Sequence, residues 1–333
     1  MLIDALQYIR PSRAAFQQMR KGNLSAVHIT VGYHEDFCGV VENLKIWNNW
    51  FASCEDLIAR ATTWNEVLAT NKANKTAILF GLQNPLPIGA DIRQVETLVQ
   101  LGIRFCQITY NQQSLLGAGC FEPFDSGLTA FGREVVDEMN RVGMVIDMSH
   151  SAERSTLEAI DYSHQPVIVS HANPSHFHPA LRNKSNKVID AVAANAGLLG
   201  FSLYPFHLKN GPQCTLDDFC DMVVWTAERM GVDKIGLGSD LCQNQPQSVL
   251  EWMRNGRWSK TMDYGEGSAG NAGWPDQLSW FGDSRDFPGI ASALSQRGFS
   301  DDEMGKIMGG NWLDLLTRAG TSTALQSASH DVP

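Results

Sequence analysis

The chain has 333 residues, of which 43% are hydrophobic and 19% charged, and its formal net charge is −10. That composition supports a sizeable core and is unlike a disordered chain, and the negative balance argues against a general nucleic-acid surface. No run approaches the roughly 18 apolar residues of a membrane span, and the first ten residues lack the basic-then-apolar pattern of a secretory signal, so the expected setting is cytoplasmic, with no membrane or nucleic-acid partner.

Short runs rich in Ile, Val, Leu and Phe recur at 2–6, 26–31, 76–82, 105–110, 144–149, 167–170, 198–203 and 234–239. Such runs suit parallel strands buried on both faces. Helical patterns lie between them at 129–142, 151–161, 187–195 and 215–230. Thr215-Leu-Asp-Asp fits an N-terminal capping box with Asp in place of Glu. Gly102, Gly143, Gly197 and Gly231 fall between helix and strand, where left-handed caps are expected. The segment 241–287, rich in Trp, Gly, Asn and Gln, reads as a long loop at the catalytic end. Two helices are expected over 288–319, the last opened by Gly309-Gly-Asn-Trp312.

Eight strands alternating with helices predict an α/β fold, a (β/α)8 TIM-type barrel with extra C-terminal helices. A doubly wound open sheet is the alternative. One domain over 1–320 and a flexible tail over 321–333 are expected. The seven cysteines form no CxxC pair, which argues against both a disulfide framework and a structural zinc knot.

Barrel active sites are built at the C-terminal ends of the strands. Here those ends carry Gln83, Tyr110-Asn111-Gln112, His150, His171 and Asp240. Taken singly, each has a structural explanation; two histidines on successive strand ends, with an aspartate closing the ring, point to a functional cluster. Two neutral imidazoles and one or two oxygens could hold a divalent ion with a position open to water. Such an ion would acidify that water and polarise a carbonyl, and Asp240 could relay the proton. His28, His34 and Glu35 could supply further ligands. His176 and His178 read as loop packing, and His164, His207 and His330 as peripheral.

The chain resembles the membrane (renal) dipeptidases, peptidase family M19 of the amidohydrolase superfamily. The resemblance rests on Gly127-Leu-Thr-Ala-Phe-Gly132, Met144-Val-Ile-Asp-Met-Ser-His150, Val167-Ile-Val-Ser-His171, Leu181-Arg-Asn183, Ile235-Gly-Leu-Gly-Ser-Asp240 and Gly310-Asn-Trp-Leu313. It implies a zinc-dependent hydrolase acting on a dipeptide or related amino-acid derivative, in a homodimer. His150 and His171 would be ligands of the second zinc, Asp240 the acid/base residue, and Arg182 with Asn183 the substrate-binding pair. A guanidinium suits that role because it grips a carboxylate with two parallel hydrogen bonds.

Three departures narrow the implication. The family's first strand ends in Asp-Gly-His-Asn-Asp, whose His and second Asp hold the first metal; here the stretch is Asp4-Ala5-Leu6-Gln7-Tyr8. The bridging Glu is replaced by Gln83, and the strand-4 histidine by Tyr110, whose phenol can still donate to an oxyanion. A reduced site is expected: one zinc on His150 and His171 assisted by Gln83 or Asp240, or no metal. A different hydrolase or lyase reaction on a small carboxylate-bearing derivative, and a non-catalytic descendant, are the alternatives.

Overall fold

A computed structural model describes residues 1–255, 264–265 and 267–326. The described residues form nine strands: β1 Ile3–Gln7, β2 Ala26–Thr30, β3 Ile58–Arg60, β4 Thr76–Leu82, β5 Ile103–Gln107, β6 Val145–Asp147, β7 Val167–Ile168, β8 Leu199–Phe201 and β9 Ile235–Leu237. All pair in parallel, in the order β1-β2-β4-β5-β6-β7, with β8 and β9 forming a second ribbon. Single bridges close the circle, Val169 to Leu199 on one side and Gln7 to Leu241 on the other. The eight expected strands are therefore the staves of the barrel.

The ninth, β3, was not anticipated from the sequence. Ile58–Arg60 pairs with Thr76, Ala77 and Ile78 of β4, below the stretch where Phe80–Leu82 pairs β5. It wedges in at the N-terminal end of the barrel, and its half-exposed tripeptide leaves no apolar run to read.

Two apolar layers hold the barrel. The larger lies between strands and outer helices. The smaller fills the lower interior, where Ile3, Ala26, Leu79, Phe105, Ile168 and Leu198 meet Trp312. Trp312 donates to the carbonyl of Leu237 at 3.0 Å, and Asn311 ties off the start of β9 by donating to Val232 and Ile235, both at 2.8 Å. The Gly-Asn-Trp motif is thus the floor of the barrel, opposite the end that carries the polar strand termini.

The expected helices occupy Ala130–Val142, Glu153–Tyr162, Asn186–Ala194 and Leu216–Met230, with Thr129, Ser185 and Thr215 as side-chain N-caps. The Thr215–Asp218 capping box forms in both directions. Gly102, Gly143 and Gly231 have positive φ, but Gly197 does not; Ala196 takes the left-handed position at φ 56°. Gly197 is needed for space instead, since a Cβ there would lie 2.0 Å from the carbonyl oxygen of Val167.

The segment expected as a loop contains the helix Gln247–Asn255. Within it Trp252 meets His34 edge-on at 5.6 Å, and Trp274 donates to Pro246 at 3.4 Å; Trp258 lies outside the described residues. The last helix spans Asn311–Gln326, running into the stretch read as tail, while 327–333, with His330, lie outside the described residues. No described helix is long and apolar enough to cross a membrane.

Candidate active site

Gln83 is the first residue after β4, and Tyr110, His150, His171 and Asp240 each stand three residues beyond the ends of β5, β6, β7 and β9. The strands around the two histidines are short for a local reason. The carboxylate of Asp147 accepts from the backbone N–H groups of Ser149 and Ser170, both at 3.0 Å. It replaces the ladder partner each strand would otherwise need and swings both chains toward the barrel mouth.

Three atoms converge there. Nε2 of His150 lies 2.9 Å from Oε1 of Gln83 and 3.2 Å from Nε2 of His171. The outer ring atoms are anchored separately. Nδ1 of His150 faces Oδ1 of Asn111 at 2.6 Å, and Nδ1 of His171 faces Oγ of Ser170 at 2.7 Å. Ser170 spends its own proton on Asp147, so His171 donates through Nδ1. His150 faces an amide oxygen at each ring nitrogen, Asn111 at Nδ1 and Gln83 at Nε2; with its proton on Nδ1, both Nε2 atoms carry lone pairs. The Gln83 amide donates to Thr30 at 2.9 Å and Tyr33 at 2.8 Å, which leaves its oxygen facing the same point.

In that tautomer the two Nε2 atoms and the Gln83 oxygen would offer a divalent cation three lone pairs. Two donors held about 2.0–2.1 Å from one ion at a tetrahedral angle stand about 3.3 Å apart, close to the His150–His171 separation. Burial, reinforced by the Arg182 guanidinium, holds both imidazoles well below the ordinary His range, so each is neutral and carries a single ring proton. Among the described residues no three His, Cys, Asp or Glu side chains converge as ligands; the third group beside the imidazoles is the Gln83 amide.

Phenols occupy the side where the resemblance puts the first metal. Tyr8 and Tyr33 meet edge-on at 4.5 Å and Tyr33 and Tyr110 at 5.2 Å, while Leu6 is fully buried. The suggested replacement ligands do not come to that place. His28 bonds the carbonyl of Ala5 through Nδ1 at 2.6 Å and stacks on Phe105, inside the barrel. The Glu35 carboxylate accepts from the N–H groups of Tyr33 and His34 in its own loop, and His34 bonds the carbonyl of Met253.

Asp240, Arg182 and Tyr110 line one small cavity of about 80 Å³ together with Gln83 and His150. Arg182 is buried and donates to the carbonyls of Ser149 and His171, which aligns its guanidinium beside the histidines. Asp240 adopts φ 56°, a left-handed conformation uncommon for Asp, and burial pushes its carboxyl up to about 7. Burial raises the Tyr110 phenol well above its usual value, so it stays a proton donor. Asn183 does not join them. Its amide donates to His178 and His207 and accepts from the N–H of Asn173, and so holds the Arg182 loop rather than facing the cavity. His207, read from sequence as peripheral, is buried and lines the cavity, bonded to Ser202 at 2.8 Å; His176 stacks on Trp225, the packing role expected. Sequence reasoning also missed Tyr33, which reaches this cavity from the loop after β2, and Met253 and Arg254, which reach it from the helix Gln247–Asn255.

The chain was compared with known proteins. The family model described as membrane dipeptidase (peptidase family M19) matches residues 8–253. Dipeptidase tcpJ of Claviceps purpurea is 27% identical over 81% of this chain and 57% of its own, and Dipeptidase verJ of Clonostachys rogersoniana is 27% identical over 62% and 54%. The chain thus spans little more than half the length of these relatives. An amidohydrolase crystal structure from Pseudomonas aeruginosa is 32% identical, covers 96% of both chains and superposes with a TM-score of 0.91. A metallo peptidase from Rhodobacter sphaeroides, solved with a phosphinate mimic of the dipeptide L-Ala-D-Ala, shares the fold at 16% identity, with coverage of 96% and 99% and a TM-score of 0.78. The family match covers well over half of the chain, and this chain belongs to the membrane dipeptidase family, peptidase family M19.

Proposed function

We propose that the protein is an amide hydrolase of the dipeptidase type with a single-metal site, acting on a small substrate with a free carboxylate. The observation that carries this reading is the placing of His150 Nε2 2.9 Å from Gln83 Oε1 and 3.2 Å from His171 Nε2. These three would hold one zinc or similar divalent ion, which when bound supplies Lewis acidity toward a carbonyl and lowers the pKa of water.

The chain's own groups account for the rest of the reaction. Arg182 binds the substrate carboxylate and fixes the scissile amide over the histidines. Tyr110 packs on the His150 ring at 4.3 Å and donates its phenolic proton to the developing oxyanion. Asp240 takes a proton from the attacking water and returns it to the leaving nitrogen. Asn111 and Ser170 keep both imidazoles in the tautomer that leaves Nε2 unprotonated. Among the described residues the phenols of Tyr8, Tyr33 and Tyr110 stand where the resemblance puts the first metal, which supports a single ion.

The test is hydrolysis of a panel of dipeptides and N-acyl amino acids by protein loaded with zinc. Wild type is expected to cleave at least one member and His150→Ala to lose both activity and bound metal. Cleavage undiminished in His150→Ala would overturn the reading.

A further inference from the structure

His207 ends the short 3₁₀ turn Pro205–His207 that follows β8. Both of its backbone polar groups are held. The N–H donates to the carbonyl of Tyr204 at 2.9 Å, and the carbonyl accepts from the side-chain amides of Asn173 at 3.1 Å and Asn183 at 2.9 Å. Asn183 directly follows Arg182, so one side chain ties the Arg182 loop to this turn. The ring is held as well. Nδ1 lies 2.8 Å from Oγ of Ser202, and the Tyr204 ring packs against it at 5.1 Å.

Ser202 decides the tautomer of that ring. Its hydroxyl is fully buried and accepts from the N–H of Tyr204 at 3.2 Å. Among the described residues the hydroxyl proton has one acceptor within reach, Nδ1 of His207. A buried hydroxyl proton left unpaired is costly, so Ser202 donates to Nδ1 and His207 carries its own proton on Nε2. Burial, reinforced by the Arg182 guanidinium, holds the ring well below the ordinary His range, so it is neutral. Nε2 thus offers an N–H that nothing among the described residues accepts. The residue is only 4% exposed, and it shares the wall of the catalytic cavity with Arg182. Buried polar groups are as a rule paired, so this N–H marks where a ligand's acceptor sits.

Resting on the amide-hydrolase reading above, we infer that His207 is a second anchor for the substrate's free carboxylate, its Nε2–H donating to the same group that Arg182 binds. A carboxylate has lone pairs enough to accept from both. Arg182 supplies the charge, and the neutral imidazole supplies direction. Because Asn183 bonds the His207 carbonyl, the two anchors are held as one unit. The pair makes the site strict about what it accepts. A carboxamide in place of the carboxylate offers one acceptor oxygen and sets an NH2 group against the second donor, which leaves that donor unpaired.

The experiment compares alanylalanine and N-acetylalanine with their carboxamides on zinc-loaded wild type, His207→Ala and His207→Gln. Wild type should favour the acid of a cleaved pair by at least about 100-fold in kcat/KM. His207→Ala should cut that preference by about tenfold or more, through the KM of the acid, with bound zinc unchanged. His207→Gln, which keeps an N–H donor near the place of Nε2, should recover most of it. Equal losses for acid and amide in His207→Ala would make the residue structural, overturning the anchor and leaving the hydrolase reading standing. Loss of zinc in that variant would make His207 a ligand and overturn the anchor too. If nothing is cleaved, the hydrolase reading falls, and calorimetric binding of the same compounds decides the anchor. Tighter binding of the acid that His207→Ala removes supports it, and no preference, or one that survives the substitution, overturns it.

Discussion

Asp240 joins two properties that a proton carrier needs. It sits at φ 56° directly after the Gly238–Ser239 pair, with its N–H held by the carbonyl of Leu6 at 3.0 Å, and it lies partly buried with Arg182 in the cavity lining. Burial pushes its carboxyl up to about 7, with Arg182 opposing the rise. The base form exists above that value and is lost below it. Hydrolysis should therefore fall as pH drops through an acid limb at or below about pH 7, as the kcat/KM profile would show. Asp240→Asn should remove the limb and lower kcat by about 10²–10⁴ without abolishing substrate binding. A limb that survives the substitution would assign the proton transfer elsewhere. His150, His171 and Asp240 were legible in the sequence because strand ends in a barrel have a fixed meaning. Asn111 stood among the strand-end residues but not as the partner of His150, and Ser170 and Tyr33 were not legible as site residues. They act on the donors rather than on the substrate, and no spacing marks a hydrogen-bond partner.

The strands and loops that deliver these residues are packed without slack. A Cβ on Gly238 would lie 1.7 Å from the carbonyl oxygen of Ser170, the residue that anchors His171, and one on Gly200 would lie 2.0 Å from the same atom. Both contacts are with backbone, so relief requires moving the end of β7. Gly238→Ala should destabilise the fold by about 2–4 kcal/mol and reduce activity further by displacing His171. Gly289 provides the contrast. It lies in the helix Phe287–Gln296, and a Cβ there would meet nothing within 4 Å, so Gly289→Ala should add about 0.5–1 kcal/mol. Thermal unfolding of the two variants, side by side, checks both signs. Glycines of this kind explain part of what the sequence hid. Gly197 was read as a turn residue, yet its role is clearance over Val167, and only three-dimensional packing separates those uses. β3 escaped notice because a tripeptide carries too little pattern.

At the scale of the whole molecule, the barrel was legible because strands buried on both faces appear as apolar runs separated by capped helices, and the circle closes where Gln7 meets Leu241. A cavity of about 440 Å³ on the side of Tyr110 was not legible, since its walls come from segments near residues 34, 84–89, 110–116 and 253–255 that no periodicity links. Burial of charge leaves a mark on global stability as well. Lys184 is enclosed, donates to the carbonyl of Ser151 at 2.9 Å, and is pushed down to about 8 by burial. Its folded-state value lies below its ordinary one of 10.5, so its contribution is present at high pH and is lost as pH falls through about 8. Unfolding midpoints should rise between pH 7 and pH 9 by an amount equivalent to a few kcal/mol at most. Lys184→Met should flatten that rise, and an equal slope in wild type and variant would place its cause elsewhere.

The central claim is that Gln83, His150 and His171 form one cation site and that the tyrosine cluster has removed the second. Calorimetric titration of metal-stripped protein with zinc tests it directly, with His150→Ala measured alongside. The account predicts one tight site per chain, lost in His150→Ala. Two tight sites per chain, or one that survives the substitution, would contradict it.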